Sequence, residues 1–449
     1  MKRYEALADK IDQMICTGLL KSGDKLLSVR AASAQFAVSP STVFKAYYQL
    51  ESRGLIHALE RSGYYVSDYA KHLLPEPAPS SPSKVSANIS VNELVFSVLD
   101  AMHESDTAPL GAAFPALELF PRKQLRQSLN RANRRHLESD AGHHVGPGDE
   151  GLRAAIARRY MSAGVRVTSE DVLITNGAME GLTLALQAIT KPGDVVAIES
   201  PGFYAALQTI ESLGLKVLEI PMDAQQGMDL QVLESALEDK KISVCWCMTN
   251  FQNPLGASMT EDKKRQLVSL LAKYKVPLIE DDVYGELYFG KHYQRPAKTF
   301  DEQGLVIHCS SFSKTLEPSY RIGWVLAGRF YEAIRRVKLM TSLSTALPTQ
   351  LAIADYLNQG NYDRHLRQLR RLLEDQQAQM ANAIAKHFPE GSKVSRPKGG
   401  FFLWVELPKS VDTLKLYELA LKQGISFAPG SIFSCRGDYH HCIRLNYGQ

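Results

Sequence analysis

SSFSKTLEPSYRIGW, residues 310–324, sets Lys314 between Ser311 and Ser313 and places Arg321 seven positions further on. It follows directly on LVIHCS (305–310), a short apolar run of the kind that forms a buried strand. An amine and a guanidinium just past a strand end, with two hydroxyls beside them, lie where open α/β sheets bind ligands. Working outward, similar apolar runs recur as VLIT (172–175), VVAIES (195–200), KVLEI (216–220), ISVCWCM (242–248) and VPLIEDD (276–282), separated by helical stretches. Strands that alternate with amphipathic helices pair in parallel through crossover helices, so this part of the chain is α/β. Its polar residues cluster beyond the strand ends. From about residue 360 a long charged helix, NYDRHLRQLRRLLEDQQAQMANAIAKHF, leads into a β-rich segment punctuated by Gly and Pro, which marks a smaller C-terminal α+β part.

The N-terminal end reads differently. Leu7, Ile11, Met14 and Ile15 share one helical face, and Gly18 ends that helix. Ser28 caps a second helix. After a turn at Ala37-Val38, Ser39 caps a third that opens on Pro40, buries Val43, Tyr47 and Leu50, and stops at Gly54. Two short helices joined by a tight turn form a helix-turn-helix, and two β-rich arms around Glu60-Arg61-Ser62-Gly63 add a hairpin wing. Between the two ends, residues 70–88 carry Pro75, Pro77, Pro79 and Pro82 among serines. Proline removes a donor and extends its predecessor, so this stretch reads as a linker able to span up to roughly 60 Å at about 3.1 Å per residue. The expected division is 1–69, a linker at 70–88, and 89–449, the last split near 358/359.

Composition excludes several classes and selects none. The 449 residues are 45% hydrophobic and 22% charged, which describes a globular protein of several domains rather than a disordered or fibrous one. A net charge of +4 demands no polyanionic partner, and residues 1–70 alone carry nine Lys+Arg against seven Asp+Glu. No run is long and apolar enough for a transmembrane helix, and MKRYEALADKI is wrong for a signal peptide, so a cytoplasmic protein without a membrane partner is expected. The six cysteines form no C-x-x-C and read as buried thiols. His143-His144 and His440-His441 are adjacent pairs, and neighbours on a strand face opposite ways, so no metal site is expected.

Five elements together carry a resemblance: the glycine turn in TNGAMEGLTLAL, Asn253 in TNFQNPLG, Asp281 with Tyr284 in IEDDVYGEL, Lys314 with Arg321, and Arg444 in HHCIRLNYG. In order and spacing, residues 90–449 resemble the fold-type I pyridoxal 5′-phosphate (PLP) enzymes of the class I/II aminotransferases. The resemblance implies a mixed, mostly parallel sheet. It assigns Lys314 to the Schiff base, Asp281 to the pyridine nitrogen, and Asn253 and Tyr284 to the ring 3′-oxygen. The phosphate would sit on the backbone of Ala178 and Met179 with Ser311, Ser313 and Arg321, a helix N-terminus being a natural anion site. Phe203 would stack on the ring, and Arg444 would hold a ligand carboxylate. Met179 stands where a polar residue is usual, and His143 where a tyrosine reaches the partner's phosphate.

GDKLLSVRAASAQFAVSPSTVFKAYYQLESRGLI resembles the GntR winged helix-turn-helix. That implies base contacts from Ser39, Ser41, Thr42 and Lys45 at the start of the third helix, with Arg30 and the wing's Arg61, Ser62 and Gly63 on phosphate or minor groove. The two modules in this order resemble the MocR/GabR regulators. A DNA-binding regulator is expected, sensing an amine or amino acid by transimination at Lys314 and acting as a head-to-tail homodimer on operator DNA. The alternative is a working aminotransferase with an appended domain.

Overall fold

The structure is a computed structural model that describes residues 3–16, 19–52, 54–59, 62–67, 74–83, 86, 95–96, 98, 106–137, 146–239, 242–290 and 293–449. At the N-terminus, helices Arg3–Cys16, Val29–Gln35 and Pro40–Ser52 pack against a hairpin of Ile56–Leu59 and Gly63–Val66. Local chemistry sets the boundaries. Ser28 accepts the Ala31 N–H at 3.2 Å and Ser39 that of Thr42 at 3.2 Å, while Pro40 stands at the first helical position, where no N–H is required. Val43, Tyr47 and Leu50 are the buried stripe, closing a core with Leu7, Ile11, Ile15, Ile56 and Val66. Gly54, at φ +70°, turns the chain into the wing. Gly18 and Arg61 lie outside the described residues.

The large sheet has eight strands in the spatial order Val172–Thr175, Gly323–Leu326, Val306–Ser311, Leu278–Asp281, Val244–Cys247, Val195–Ser200, Lys216–Asp223 and Gly227–Met228. Gly323–Leu326 runs antiparallel to both its neighbours and Gly227–Met228 antiparallel to its one neighbour, while the remaining ladders are parallel. Alternation along the strands separates two cores: Val172, Ile174, Trp324 and Leu326 face one way, Leu173 and Val325 the other. The strand Gly323–Leu326 had no separate signal, because its four residues begin on the glycine of RIGW without a turn of their own before them.

After the helix Asn361–His387, a four-stranded antiparallel sheet of Lys393–Val394, Phe402–Glu406, Cys442–Asn446 and Ala428–Pro429 forms the C-terminal part. His440 and His441 stand in the turn before Cys442–Asn446, not on a strand, which corrects the reason given for separating them. His143 and His144 lie outside the described residues. Among those described, no group of three His, Cys, Asp or Glu is placed to hold a metal, and no helix is long and apolar enough to cross a membrane.

The proline stretch is extended where described, but it is not a free tether. Val394 N–H donates to the Pro75 carbonyl (3.0 Å), Arg396 to the Leu74 carbonyl (2.7 Å), and Ser80 exchanges bonds with Met222 and Ser200. Prolines lack donors yet keep their carbonyls, and an extended run offers those to the edge of a neighbouring sheet. The winged helix rests on its own chain: Arg371 of the long helix holds Glu5 through a hydrogen bond of 3.0 Å and an ion-pair contact of 2.7 Å.

Candidate functional site

Strand Leu278–Asp281 ends at the centre of the large sheet, and its pleat sorts two adjacent carboxylates to opposite sides. Glu280 points down and is locked: it accepts from Thr249 Oγ1 (2.5 Å), the Ala297 and Lys298 amides (2.5 and 3.0 Å) and His308 Nδ1 (2.8 Å). Burial alone would raise its pKa, but the His308 contact and these donors outweigh that and hold it at about 2. His308 Nε2 meets Tyr160 Oη at 2.7 Å, and Trp324 Nε1 donates to the same hydroxyl at 3.0 Å, so this buried chain of bonds ties three strands to a flanking helix.

Asp281 faces the other way, in register with Cys309, and its Oδ1 is buried with no partner. Burial, then repulsion from Asp282, lifts its pKa to about 7, with Lys314 pulling the other way. Lys314 is the counterpart. Burial pushes its amine down to about 7, Arg444 and Arg321 push the same way, and Asp281 opposes them. A lysine near neutrality carries a usable fraction of free amine, which is what a nucleophile needs.

The other residues close on this pair from several elements. Asn253 is fully buried in the turn six residues beyond Val244–Cys247; its Oδ1 accepts from Arg444 Nη1 at 2.9 Å while its Nδ2 has no hydrogen-bond partner. Tyr284 is 2% exposed, wedged edge-on against Phe401 and Phe402, and burial raises its hydroxyl. Phe203 is partly buried at the cap of the helix Tyr204–Ser212, its ring 5.1 Å from that of Tyr204, which in turn meets Phe433 at 5.9 Å. Arg444, fully buried on Cys442–Asn446, lies over the Phe402 ring at 4.3 Å.

The glycine turn forms a separate cup. Gly177 (φ +81°) caps the helix Ala178–Ile189, leaving the amides of Ala178 and Met179 in the first turn, where no carbonyl of the helix reaches them. Arg321 closes it by donating to the Asn176 carbonyl (3.1 Å) and Ser313 Oγ (3.2 Å), and Ser311 is buried at the adjacent strand end. A Cβ on Gly177 would come within 2.2 Å of Arg321, and one on Gly323 within 2.4 Å of Gly177, so backbone approaches backbone here as tightly as an anion cradle requires.

A model of aminotransferases of class I and II matches residues 119–449, and one of bacterial regulatory proteins of the gntR family matches residues 3–66. The HTH-type transcriptional regulator YdcR of Escherichia coli K12 is 44% identical over 99% of this chain and 95% of its own length. This chain belongs to the MocR type, regulators that join a gntR-family head to a class I and II aminotransferase domain. Two solved structures share the fold of the second part. A kynurenine aminotransferase of Pyrococcus horikoshii, crystallised with PMP, is 29% identical with a TM-score of 0.74, covering 80% of this chain and 90% of that one. The α-aminoadipate aminotransferase LysN of Thermus thermophilus, complexed with N-(5′-phosphopyridoxyl)-L-leucine, is 27% identical at 0.74, with the same two coverages.

In this MocR-type chain the head displays its expected DNA residues unevenly. Arg30, Ser39, Ser41, Lys45 and Gly63 are exposed and Thr42 and Ser62 partly so. Ser39 Oγ lies 2.9 Å from Ser41 Oγ and 2.8 Å from Thr42 Oγ1, one linked cluster of hydroxyls at the helix start. Ser62 is engaged within the wing, 2.7 Å from Tyr65 Oη. Ser41, Thr42 and Lys45 look across a cleft onto Arg371 and Asp375 of the long helix.

The sequence reading missed Glu180 and Lys338. Glu180 takes both the N–H and Nδ2 of Asn176 (2.6 and 3.0 Å), and buried Lys338 holds Glu180 at 3.0 Å, bracing the cup from below. An acid in the first turn of a helix was the available signal; its partner stands 158 residues away and gave none.

Proposed function

We propose that this chain is a PLP-dependent, DNA-binding transcriptional regulator of the cytoplasm. Its aminotransferase-like part carries PLP on Lys314 and senses an amine or amino acid by transimination. One observation carries the cofactor assignment: Asp281 Oδ1 and Asn253 Nδ2 are buried without hydrogen-bond partners, Asp281 close enough to Lys314 for each charge to act on the other and Asn253 bonded to Arg444, which acts on the same lysine. An acceptor and a donor left unmet in a native interior are expensive, and a pyridine N–H and a ring oxygen would satisfy them. The residues present therefore fit the group. Bound PLP supplies an aldehyde and an electron-withdrawing ring.

This chain's own side chains do the rest. Asp281 holds a proton on the ring nitrogen, Asn253 and Tyr284 orient the 3′-oxygen, and Phe203 covers the ring face. Ala178, Met179, Ser311, Ser313 and Arg321 bind the phosphate. Lys314 would hold the group through its amine and would be set free as that amine when a ligand amine replaced it. Arg444 receives the carboxylate of an amino acid ligand.

The domain limits proposed are 1–69, the linker 70–88, and 89–449 with its internal division near 358/359. On DNA, Ser39, Ser41, Thr42 and Lys45 would enter the major groove, with Arg30, Ser62, Gly63 and Arg61 at the wing. A net charge of only +2 per head, nine cations less seven anions, supports operator binding by two heads rather than one, and the head-to-tail homodimer proposed here rests on the family resemblance. Adding PLP to the apo chain gives a visible imine band, and Lys314→Ala abolishes it; a band that persists refutes the lysine assignment. Specific operator retention in a gel shift, altered by amino acids, supports the regulator. Steady turnover with a 2-oxo acid and no operator binding would make the chain an enzyme.

A further inference from the structure

Five consecutive carbonyls of the segment Leu110–Phe114 are all taken up by the C-terminal strand and the site. Leu110 O accepts from the Asn446 amide (2.8 Å), Gly111 O from Arg444 Nη2 (2.5 Å), and Ala112 O from Asn446 Nδ2 (3.0 Å) and Arg444 Nη2 (3.4 Å). Ala113 O accepts from Lys314 Nζ (2.6 Å), and Phe114 O from Asn446 Nδ2 (2.7 Å) and Gln449 Nε2 (2.6 Å). The Phe114 ring lies 3.4 Å beneath the Lys314 ammonium. Gly111 permits the crossing, since a Cβ there would meet the Phe427 backbone at 2.8 Å. Just upstream, Ala108–Pro109 pairs in parallel with Ile425–Ser426, and the chain beyond leads back through the proline stretch to the winged helix.

Arg444 is fully buried, and among the described residues its partners are neutral: two strap carbonyls and the Asn253 amide, with Nε left unmet. A carboxylate brings a full opposite charge and two oxygens that match the guanidinium fork, where each carbonyl offers only a dipole, so a ligand carboxylate outcompetes Gly111 and Ala112 for this guanidinium. We propose that the strap Leu110–Phe114 is a built-in competitor for the ligand, filling the carboxylate position until an amino acid displaces it. Because the strap continues into the linker, its release is the movement that ligand binding passes to the DNA-binding head. The inference rests on the PLP reading of Lys314 and Arg444.

The test uses the full chain loaded with PLP and two oxyamines: aminooxyacetate, which carries a carboxylate, and methoxyamine, which does not. The nitrogen of each probe bonds the carbon that Lys314 held and the lysine leaves as its amine, so atoms and electrons balance and both remove the imine band. Hydrogen exchange of residues 106–116 is expected to rise with aminooxyacetate and to stay unchanged with methoxyamine. Asn446→Ala removes two strap bonds, each worth roughly 1 kcal/mol net, so the aminooxyacetate rate relative to the methoxyamine rate rises roughly thirtyfold. Gln449→Ala, at the partly exposed C-terminus, removes one bond and raises it a few-fold. Equal strap exchange with both probes, or an unchanged rate ratio in both variants, overturns the strap and leaves the cofactor reading standing. Failure of PLP to form the band, or its survival in Lys314→Ala, overturns both.

Discussion

Lys314 and Asp281 lie buried near one another: burial takes charge from each, and their mutual attraction gives part of it back. Lys314 is held at about 7, against 10.5 for a free lysine, so the neutral amine predominates above that pH and the ammonium below it. Capture of PLP by the apo chain, followed by the growth of imine absorbance in stopped flow, is therefore expected to slow about tenfold for each pH unit below 7 and to level off above 8. A rate that falls off only below pH 5, or keeps climbing to pH 10, is incompatible with this amine. Asp281→Asn removes the carboxylate that opposes the loss of charge on Lys314 and the partner for a pyridine N–H. We expect PLP affinity to fall by at least tenfold in equilibrium titration, with the remaining imine forming at lower pH than in the parent. At this scale the sequence was informative because the chemistry demands particular residue types past particular strands. It was silent about the carbonyls of Gly111 to Ala113, since any residue supplies a carbonyl.

At the scale of elements, the phosphate cup depends on one helix bracing another. Lys338 on the helix Tyr331–Thr341 is 2% exposed and meets Glu180, Ser342 and Thr345, while Glu180 fixes the Asn176 turn before the helix Ala178–Ile189. Neighbouring donors and the Lys338 charge lower the Glu180 pKa against the burial that would raise it. Sign follows from that direction: a depressed carboxylate stabilises the fold above its unfolded pKa and loses that contribution as pH falls through the folded one. Lys338→Ala leaves a half-buried carboxylate without its cation and is expected to cost about 1–3 kcal/mol, read as a lower denaturant midpoint, and to weaken phosphate and PLP binding together. Lys338→Met paired with Glu180→Gln should recover most of the stability and less of the PLP affinity. The strands of the large sheet were legible from their apolar runs. What remained hidden was pairing between distant elements: Gly323–Leu326 inserted antiparallel, and the proline stretch docked rather than free.

For the whole molecule, the position of the head relative to the long helix controls what its recognition helix can reach. Glu5 is 6% exposed and gripped by both Nη atoms of Arg371, and the same contact brings Ser41, Thr42 and Lys45 to face Arg371 and Asp375. On the proposed reading DNA takes that face, and the docked head and the DNA-bound head are then two states of one equilibrium. Arg371 is partly exposed, which discounts the pair to roughly 1 kcal/mol, or about a fivefold shift in that equilibrium. Arg371→Ala is therefore expected to increase the radius of gyration in small-angle scattering and tighten operator binding about fivefold at low salt, with a smaller gain at high salt as the ion pair is screened in the parent. Glu5→Arg combined with Arg371→Glu restores the pair with reversed charges and should return both values toward the parent. If Arg371→Ala changes neither the scattering nor the operator affinity, the contact does not hold the head. If it loosens the head but weakens DNA binding, Arg371 belongs to the DNA-bound state, and the docked arrangement is then a step toward the operator.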